Sequence, residues 1–379
     1  MEKRNVYFDN AATTALEPMV VEKMTSVMLS NFGNPSSTHQ FGRSSKALLE
    51  AARKNIAKWL HCSAQEIVFT SGGTEGDNWI VQAAVETLEI ERIITTKVEH
   101  HAVLYPIQER AAKQRDLEIV YLSINREGNI DFEELAQILA VPKKTLVSLM
   151  HVNNETGVEI DVEKVGFLCE KYQAFFHSDT VQSMGKMTYD LEKLKVHFLV
   201  GSAHKFHGPK GVGFVFVRKN TPFASFLKGG AQEKGWRAGT EPVHQIVGMS
   251  EALSIAYQQL DENKKHITAL KNATITKLQA AFPNVLFNGG TTTFYTILNV
   301  LLPFDEKLTS MILFNLDMKG IAVSRGSACQ SGSAKPSHVL AEMLPEPLQK
   351  LPSIRISFSK ENTFEEVDYL VEVLKSLKV

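Results

Sequence analysis

Short runs of branched and aromatic residues alternate, over the first 220 residues, with longer stretches whose apolar positions recur every three or four residues. Residues 66–70, 92–96, 117–122, 145–150, 174–177, 197–200 and 211–217 read as strands, and 6–8 as a short β-prone run. Between them 41–60 and 162–172 carry the helical period, and a further helical pattern follows Pro18, placed where proline suits a first turn. Strand and helix in alternation predict a mostly parallel sheet flanked by helices, with right-handed crossovers. The character changes after Gly248. Residues 249–281 form one long helical pattern, followed by strand-like runs within 283–302, a short helix near Met311, a strand over 353–358 and a last helix over 363–377. The expected organisation is α/β: a large domain over 16–255, and a smaller α+β domain from 1–15 and 256–379, with the long helix as hinge.

Polar clusters sit just past the predicted strands, at 71–75, 99–101, 151–157, 178–182 and 201–211. Ligands of parallel α/β sheets bind beyond the carboxyl ends of the strands, so these clusters are the candidate site. The loop Ser71-Gly72-Gly73-Thr74-Glu75 leads into a helix expected to begin near Asp77. Strand, Gly-Gly-Thr and helix would aim free N–H groups and a hydroxyl at an anion such as phosphate. Taken alone it is also an ordinary βα turn. Lys205 follows Ser202-Ala203-His204 at the end of an apolar strand, where a depressed pKa would suit Schiff-base chemistry. That stretch, on its own, equally fits a solvated lysine in a hairpin loop.

Length and composition narrow the class. A chain of 379 residues with 44% hydrophobic and 22% charged residues is globular and large enough for more than one core. Its net charge of −1 gives no reason to expect nucleic acid or an anionic membrane as partner. No apolar run reaches spanning length and the N-terminal residues lack a signal-peptide pattern, so a cytoplasmic protein is expected. Three dispersed cysteines, Cys62, Cys169 and Cys329, argue against a disulfide framework and a cysteine metal cluster, and no metal is expected.

Asp179 and Lys205 stand at neighbouring strand ends. A carboxylate that keeps a pyridine nitrogen protonated and a lysine that condenses with an aldehyde are what pyridoxal 5′-phosphate requires as an electron sink. Gly73, Thr74, Ser202 and His204 would hold its phosphate, and His100 could stack on its ring and move protons. Singly, His100 reads as a packed or solvated histidine and Asp179 as a cap or salt-bridge residue; the joint pattern carries the assignment.

A series of motifs then falls into one order: Asn-Ala-Ala-Thr-Thr (10–14), Gly-Asn-Pro-Ser-Ser (33–37), Phe-Thr-Ser-Gly-Gly-Thr-Glu (69–75), Glu-His-His-Ala-Val (99–103), His-Val-Asn-Asn-Glu-Thr-Gly (151–157), Asp-Thr-Val-Gln-Ser-Met-Gly-Lys (179–186), Ser-Ala-His-Lys-Phe-His-Gly-Pro-Lys-Gly (202–211), Arg-Ala-Gly-Thr-Glu-Pro (237–242) and Gly-Ser-Ala-Cys (326–329). Over nearly its whole length the chain resembles the cysteine desulfurases of the NifS/IscS type, in the class V aminotransferase group of fold-type I pyridoxal-phosphate enzymes. The resemblance implies Lys205 as the Schiff-base lysine, Asp179 at the pyridine nitrogen, and Asn154 and Gln182 at the ring's phenolic oxygen. It implies Gly73, Thr74, Ser202 and His204 at the phosphate, with Thr240 reaching the phosphate of the other subunit, hence a homodimer. Arg355 and Asn34 would fix the substrate carboxylate, with Asn154 also close to the substrate.

Cys329 distinguishes the chemistry. Among Gly, Ser and Ala it is expected on an exposed, mobile loop, while Cys62 and Cys169 read as small buried hydrophobes. The resemblance implies that L-cysteine gives up its sulfur to the Cys329 thiolate as a persulfide and leaves as L-alanine, with Lys205 and His100 moving protons. An aminotransferase or a selenocysteine lyase on the same fold, or a catalytically idle relative, are the alternatives. Two positions depart from the family pattern: Ala203 replaces a usual glycine, and Gly76 a usual serine or alanine. Val379 follows directly on the last helix, so the IscS-type tail that docks the iron–sulfur scaffold is expected to be missing. The transient sulfur acceptor is left open between such a scaffold and a tRNA-thiolation enzyme.

Overall fold

The computed structural model describes residues 5–326 and 337–377. Its strands are β1 (Val6–Tyr7), β2 (Ile67–Thr70), β3 (Arg92–Thr95), β4 (Glu118–Tyr121), β5 (Thr145–Ser148), β6 (Phe175–Asp179), β7 (Phe198–Ser202), β8 (Gly213–Val217), β9 (Leu286–Asn288), β10 (Ile297–Leu301), β11 (Ile321–Ala322) and β12 (Ser353–Ser357). The helices are α1 (Pro18–Ser30), α2 (Gln40–Trp59), α3 (Gly73–Glu86), α4 (His101–Lys113), α5 (Phe132–Ala140), α6 (Val162–Lys171), α7 (Val243–Gln258), α8 (Leu260–Ala281), α9 (Ile312–Met318), α10 (His338–Met343), α11 (Glu346–Gln349) and α12 (Phe364–Leu377).

Seven strands form one sheet in the order β2-β8-β7-β6-β5-β3-β4. Only β8 runs against the rest, pairing antiparallel with β2 and β7. Strands β2, β5, β7 and β8 are buried along their whole length, as expected of a sheet with helices on both faces. One core lies on the face covered by α2, α6 and α7, including Leu49, Ile56, Val147, Phe176, Phe214 and Ile246. The other is built around Trp79, Ile80 and Val81 of α3 with Ile93 and Val215. A third core belongs to the antiparallel sheet β12-β10-β9 and its helices, with Leu270, Ile297, Ile356 and Leu370.

Two expectations change. The helical pattern over 249–281 divides at Gln259 into α7 and α8. The division marks a change of core: Ile255 and Tyr257 pack with the large sheet, Ile267 and Leu270 with the small one. Helix α3 begins at Gly73 and not at Asp77, so Gly73 and Thr74 form its first turn. Both departures from the family pattern have a steric basis. A β-carbon at Gly76 would sit 2.9 Å from methyls of Val200 and of Val215, so α3 lies directly on the sheet there. The Ala203 methyl fills the space beside Gly208, where a second β-carbon would come within 2.9 Å of it.

A buried ion pair fastens the entrance to β2. Arg53 meets Glu233 through two 2.7 Å bonds and donates to the Ile67 carbonyl, while Glu233 accepts from the Phe69 N–H. Both side chains are 2% exposed. Removing one partner leaves the other charged and buried, so Glu233→Ala is expected to cost about 3–5 kcal/mol, measured as loss of unfolding free energy in urea. A cost under ~1 kcal/mol would mean that water reaches Arg53.

Candidate active site

Strands β2, β3, β5, β6 and β7 deliver their polar clusters to one edge of the large sheet, and there a cavity of about 220 Å³ opens. Gly73, Thr74, Asp77, His100, Asn154, Asp179, Gln182, Ser202, His204, Lys205 and Arg355 line it, together with Ala11 and Ala12 from the N-terminal segment. Ten residues singled out from the sequence thus meet in one place. Asn34 and Thr240 lie outside this cavity: both are exposed, and the Asn34 side chain accepts from the Ser36 N–H in a local turn. Cys329 lies outside the described residues.

Lys205 follows β7 in a single 3-10 turn, and its Nζ donates to the carbonyls of Ala11 at 2.6 Å and Ala12 at 2.9 Å. Asp179 ends β6 and is 7% exposed. Burial lifts its carboxyl to about 6, against the pull of the Val181 N–H and the charge on Lys205. It stays ionised at neutral pH. Behind it stand two more buried carboxyls. Asp77 is pushed well up by burial and by the charges of Asp179 and Glu99, and its Oδ1 lies 3.3 Å from His177 Nε2. Glu99, raised to about 8 by burial, is held by the Met150 N–H and the Thr96 hydroxyl.

His100 caps the N-terminus of α4, its Nδ1 accepting from the Ala102 N–H at 3.1 Å. That bond places the proton of the neutral ring on Nε2. Burial, then the positive charges of Lys205 and His338, lowers its pKa to about 4, so the ring is neutral at pH 7. His204 is lowered to about 4 in the same way, by burial and then Lys205; its Nδ1 meets the Thr13 hydroxyl at 3.2 Å.

The end of the cavity suited to an anion is the first turn of α3. Its N-terminal N–H groups have no intrahelical acceptors, and Gly72 precedes them at φ 154°. A β-carbon at Gly73 would press to 2.9 Å from Val181, so only glycine lets this turn approach β6 and Ser202 so closely. Gln182 gives its Nε2 to the Ala11 carbonyl and leaves Oε1 buried without a partner. At the opposite wall Arg355, on β12, donates Nη1 to the Asn154 carbonyl and Nη2 to Asp9, both at 2.8 Å, and its Nε is buried without a partner. Unpaired buried polar atoms around a cavity are what a polar ligand would complete.

Two contributors escaped the sequence reading. Glu75 pairs with Arg237 at 2.8 and 3.1 Å, tying the 71–75 loop to the segment that carries Thr240. The N-terminal segment supplies Ala11 and Ala12 to Lys205, Ala11 to Gln182, and Thr13 to His204. The first could have been guessed from opposite charges in two motifs; the second uses backbone carbonyls, which leave no mark in a sequence.

Comparison with known proteins gives one answer. The profile of the class V aminotransferases matches residues 6–370. The chain is 39% identical over 379 residues to the cysteine desulfurase IscS of Dictyoglomus turgidum, an alignment covering 99% of this chain and 95% of that protein. Among solved structures, a NifS-like protein superposes with a TM-score of 0.90 at 36% identity over 99% of each chain. SspA in complex with cysteine superposes with a TM-score of 0.81 at 29% identity, covering 95% of this chain and 100% of that one.

The described thiols are both unreactive by environment. Burial, with Glu66 adding to it, pushes the Cys62 thiol up to about 12, and burial alone raises that of Cys169 further. At pH 8 roughly one Cys62 in ten thousand would be thiolate. Native protein treated with iodoacetamide at pH 8 is therefore expected to keep Cys62 and Cys169 unmodified, read by peptide mass spectrometry, and to lose that protection above pH 11 or on unfolding. Rapid native labelling of Cys62 would contradict the burial.

Proposed function

With the chain belonging to the class V aminotransferases, and among them to the cysteine desulfurases of the NifS/IscS type, we propose that its cavity holds pyridoxal 5′-phosphate and that the residues lining it release the sulfur of L-cysteine, leaving L-alanine. The observation that carries this reading is the meeting of Lys205, Asp179 and the first turn of α3 around one cavity. Its volume, about 220 Å³, and its ring of unpaired polar atoms suit a phosphorylated pyridine. When bound, that cofactor supplies an electron sink for bonds at the substrate's Cα and Cβ.

The residues have separate tasks. Asp179, ionised at pH 7, holds the proton on the pyridine nitrogen. The N–H groups of Gly73 and Thr74, with Ser202 and His204, take the phosphate at the start of α3. Gln182 Oε1 and Asn154 would meet the ring hydroxyl, and the neutral His100 ring would pack against a bound cofactor. Lys205 Nζ would hold the cofactor aldehyde and, once freed, would accept the Cα proton and deliver it onward. Arg355, with Asn34, fixes the substrate carboxylate, for which a planar guanidinium is suited. The Cys329 thiolate forms an S–S bond with the substrate sulfur as the Cβ–S bond breaks. Carbon keeps the electron pair, is protonated, and departs as alanine, leaving a persulfide for an acceptor protein. An iron–sulfur scaffold and a tRNA-thiolation enzyme are the two acceptors this chemistry would serve. Cys62 and Cys169 are free thiols, which suits a cytoplasmic setting, and no helix among the described residues is long and apolar enough to cross a membrane.

A homodimer fits the surface. Met28 and Leu29 of α1, Phe32 after it, and Phe41 on α2 are 51–81% exposed, and the rings of Phe32 and Phe41 lie 5.1 Å apart. A run of exposed apolar side chains of this size marks an interface. Helix α1 packs against α7, which starts three residues after Thr240, so the same face carries the residue proposed to reach the partner's phosphate.

Purified holoprotein given L-cysteine and a dithiol is expected to yield alanine and sulfide in equal amounts. Lys205→Ala is expected to lose the cofactor's Schiff-base absorbance and at least 1000-fold in rate, and Cys329→Ala to lose sulfide and alanine release while keeping the absorbance. Undiminished alanine formation in Cys329→Ala would replace the persulfide route by a generic lyase or aminotransferase. Separately, the protein is expected to sediment as a dimer and Leu29→Asp with Phe32→Asp as a monomer; a monomeric wild type would remove the shared-site reading.

A further inference from the structure

Asp9 reaches the edge of the site from β1, yet it belongs to no group that would touch the cofactor. Its Oδ1 accepts two hydrogen bonds of 2.8 Å, one from Arg355 Nη2 and one from the Ser324 hydroxyl. Ser324 and Arg355 are themselves joined by paired backbone bonds, Arg355 N–H to Ser324 O at 2.7 Å and Ser324 N–H to Arg355 O at 3.3 Å. Asp9 in turn bridges to Ser357, two residues along β12. One carboxylate thus sits over the junction of three chain segments and grips the guanidinium of one of them.

The grip decides which edge of Arg355 is free. The guanidinium is 1% exposed, so it cannot turn to water for its unmet bonds. With Nη1 on the Asn154 carbonyl and Nη2 on Asp9, the Nε–H is the group left buried and unpartnered. A carboxylate approaching Arg355 would take the Nε–H together with the second hydrogen of Nη2, the side-on bidentate arrangement. Turning the planar fork would withdraw that pair of donors. Asp9 also compensates the buried positive charge before any substrate arrives.

We infer that Asp9 is a positioning residue for substrate: it fixes the rotation of Arg355 so that the Nε edge faces the carboxylate of the incoming amino acid. The inference rests on the reading of Arg355 as the carboxylate-binding group. Loss of the Asp9 contact weakens substrate binding and leaves cofactor binding and chemistry in place.

The test uses holoenzyme and steady-state kinetics with L-cysteine. Asp9→Ala is expected to raise KM about tenfold with kcat changed by less than about threefold. Asp9→Asn, whose amide oxygen can still accept both bonds, is expected to recover most of that loss. Ser324→Ala, which frees Asp9 from its other bond, shifts KM in the same direction by a smaller factor. The cofactor absorbance is unchanged in all three. Affinity for cysteamine, which has the amine and thiol but no carboxylate, is read from the same absorbance and is unchanged in Asp9→Ala. Arg355→Ala separates the two layers: if it leaves KM for L-cysteine unaltered, the reading of Arg355 fails. If Arg355→Ala raises KM and Asp9→Ala does not, or if Asp9→Ala weakens cysteamine as much as L-cysteine, the positioning role is overturned.

Discussion

A single ammonium, that of Lys205, organises the charges of this site. It is held at the end of β7 by the carbonyls of Ala11 and Ala12, and its charge acts on the titratable groups around it. Burial is the larger influence on each of them and sets the direction of each shift, and Lys205 acts on all three. It adds to the desolvation that keeps His100 and His204 neutral and opposes the desolvation that would protonate Asp179. A neutral histidine, an anionic aspartate and a lysine then coexist within one cavity at pH 7.

The positions of these groups follow from sheet topology. Six of seven strands run the same way, so their carboxyl ends form one edge, and the loops there need no special length to converge. The reversed strand β8 is what brings Lys205 in. It turns back directly after the Lys205 loop and pins both β7 and β2, so the lysine and the first turn of α3 are fixed to the same piece of sheet. Gly213, at the start of β8, would place a β-carbon 2.9 Å from Gly72, which shows how closely the two loops lie.

Much of this was legible before any coordinates because it is local. Strand runs, helical periods and the polar residues after each strand are read within windows of ten or twenty positions, and these place Lys205, Asp179 and His100 at strand ends, while the Gly73-Thr74 pair lies in the first turn of α3 where the pattern predicts a loop. Joint occurrence did what no single motif could, since Asp179 alone resembles a cap and Lys205 alone a loop residue. What stayed hidden depends on contacts between remote parts of the chain or on backbone atoms. Asp9 and Arg355 are 346 positions apart. The carbonyls of Ala11 and Ala12 belong to residues with no functional side chain. The break at Gln259 was invisible because the helical period continues through it, and only the change from one core to another separates α7 from α8. Asn34 and Thr240 came from family resemblance, not from pattern, and within one chain both stand apart from the cavity.

The N-terminal segment ties the two ends of the site together. Its apolar residues Val6, Phe8 and Ala11 pack in the core of the small sheet and Asp9 and Asn10 bond to β12, while the carbonyls of Ala11 and Ala12 and the Thr13 hydroxyl turn to the large sheet. A segment anchored in one core cannot shift without moving its carbonyls relative to Lys205 and its carboxylate relative to Arg355. The proposed cofactor end of the site hangs on the large sheet and the proposed substrate-carboxylate end on the small one, and residues 9–14 are bonded to both. Fixing the distance between a lysine proposed to move a proton at Cα and an arginine proposed to hold the neighbouring carboxylate is a geometric demand of about an ångström. Six residues with modest side chains meet that demand because they are tied at each end, which is why their importance lies in position and not in reactivity.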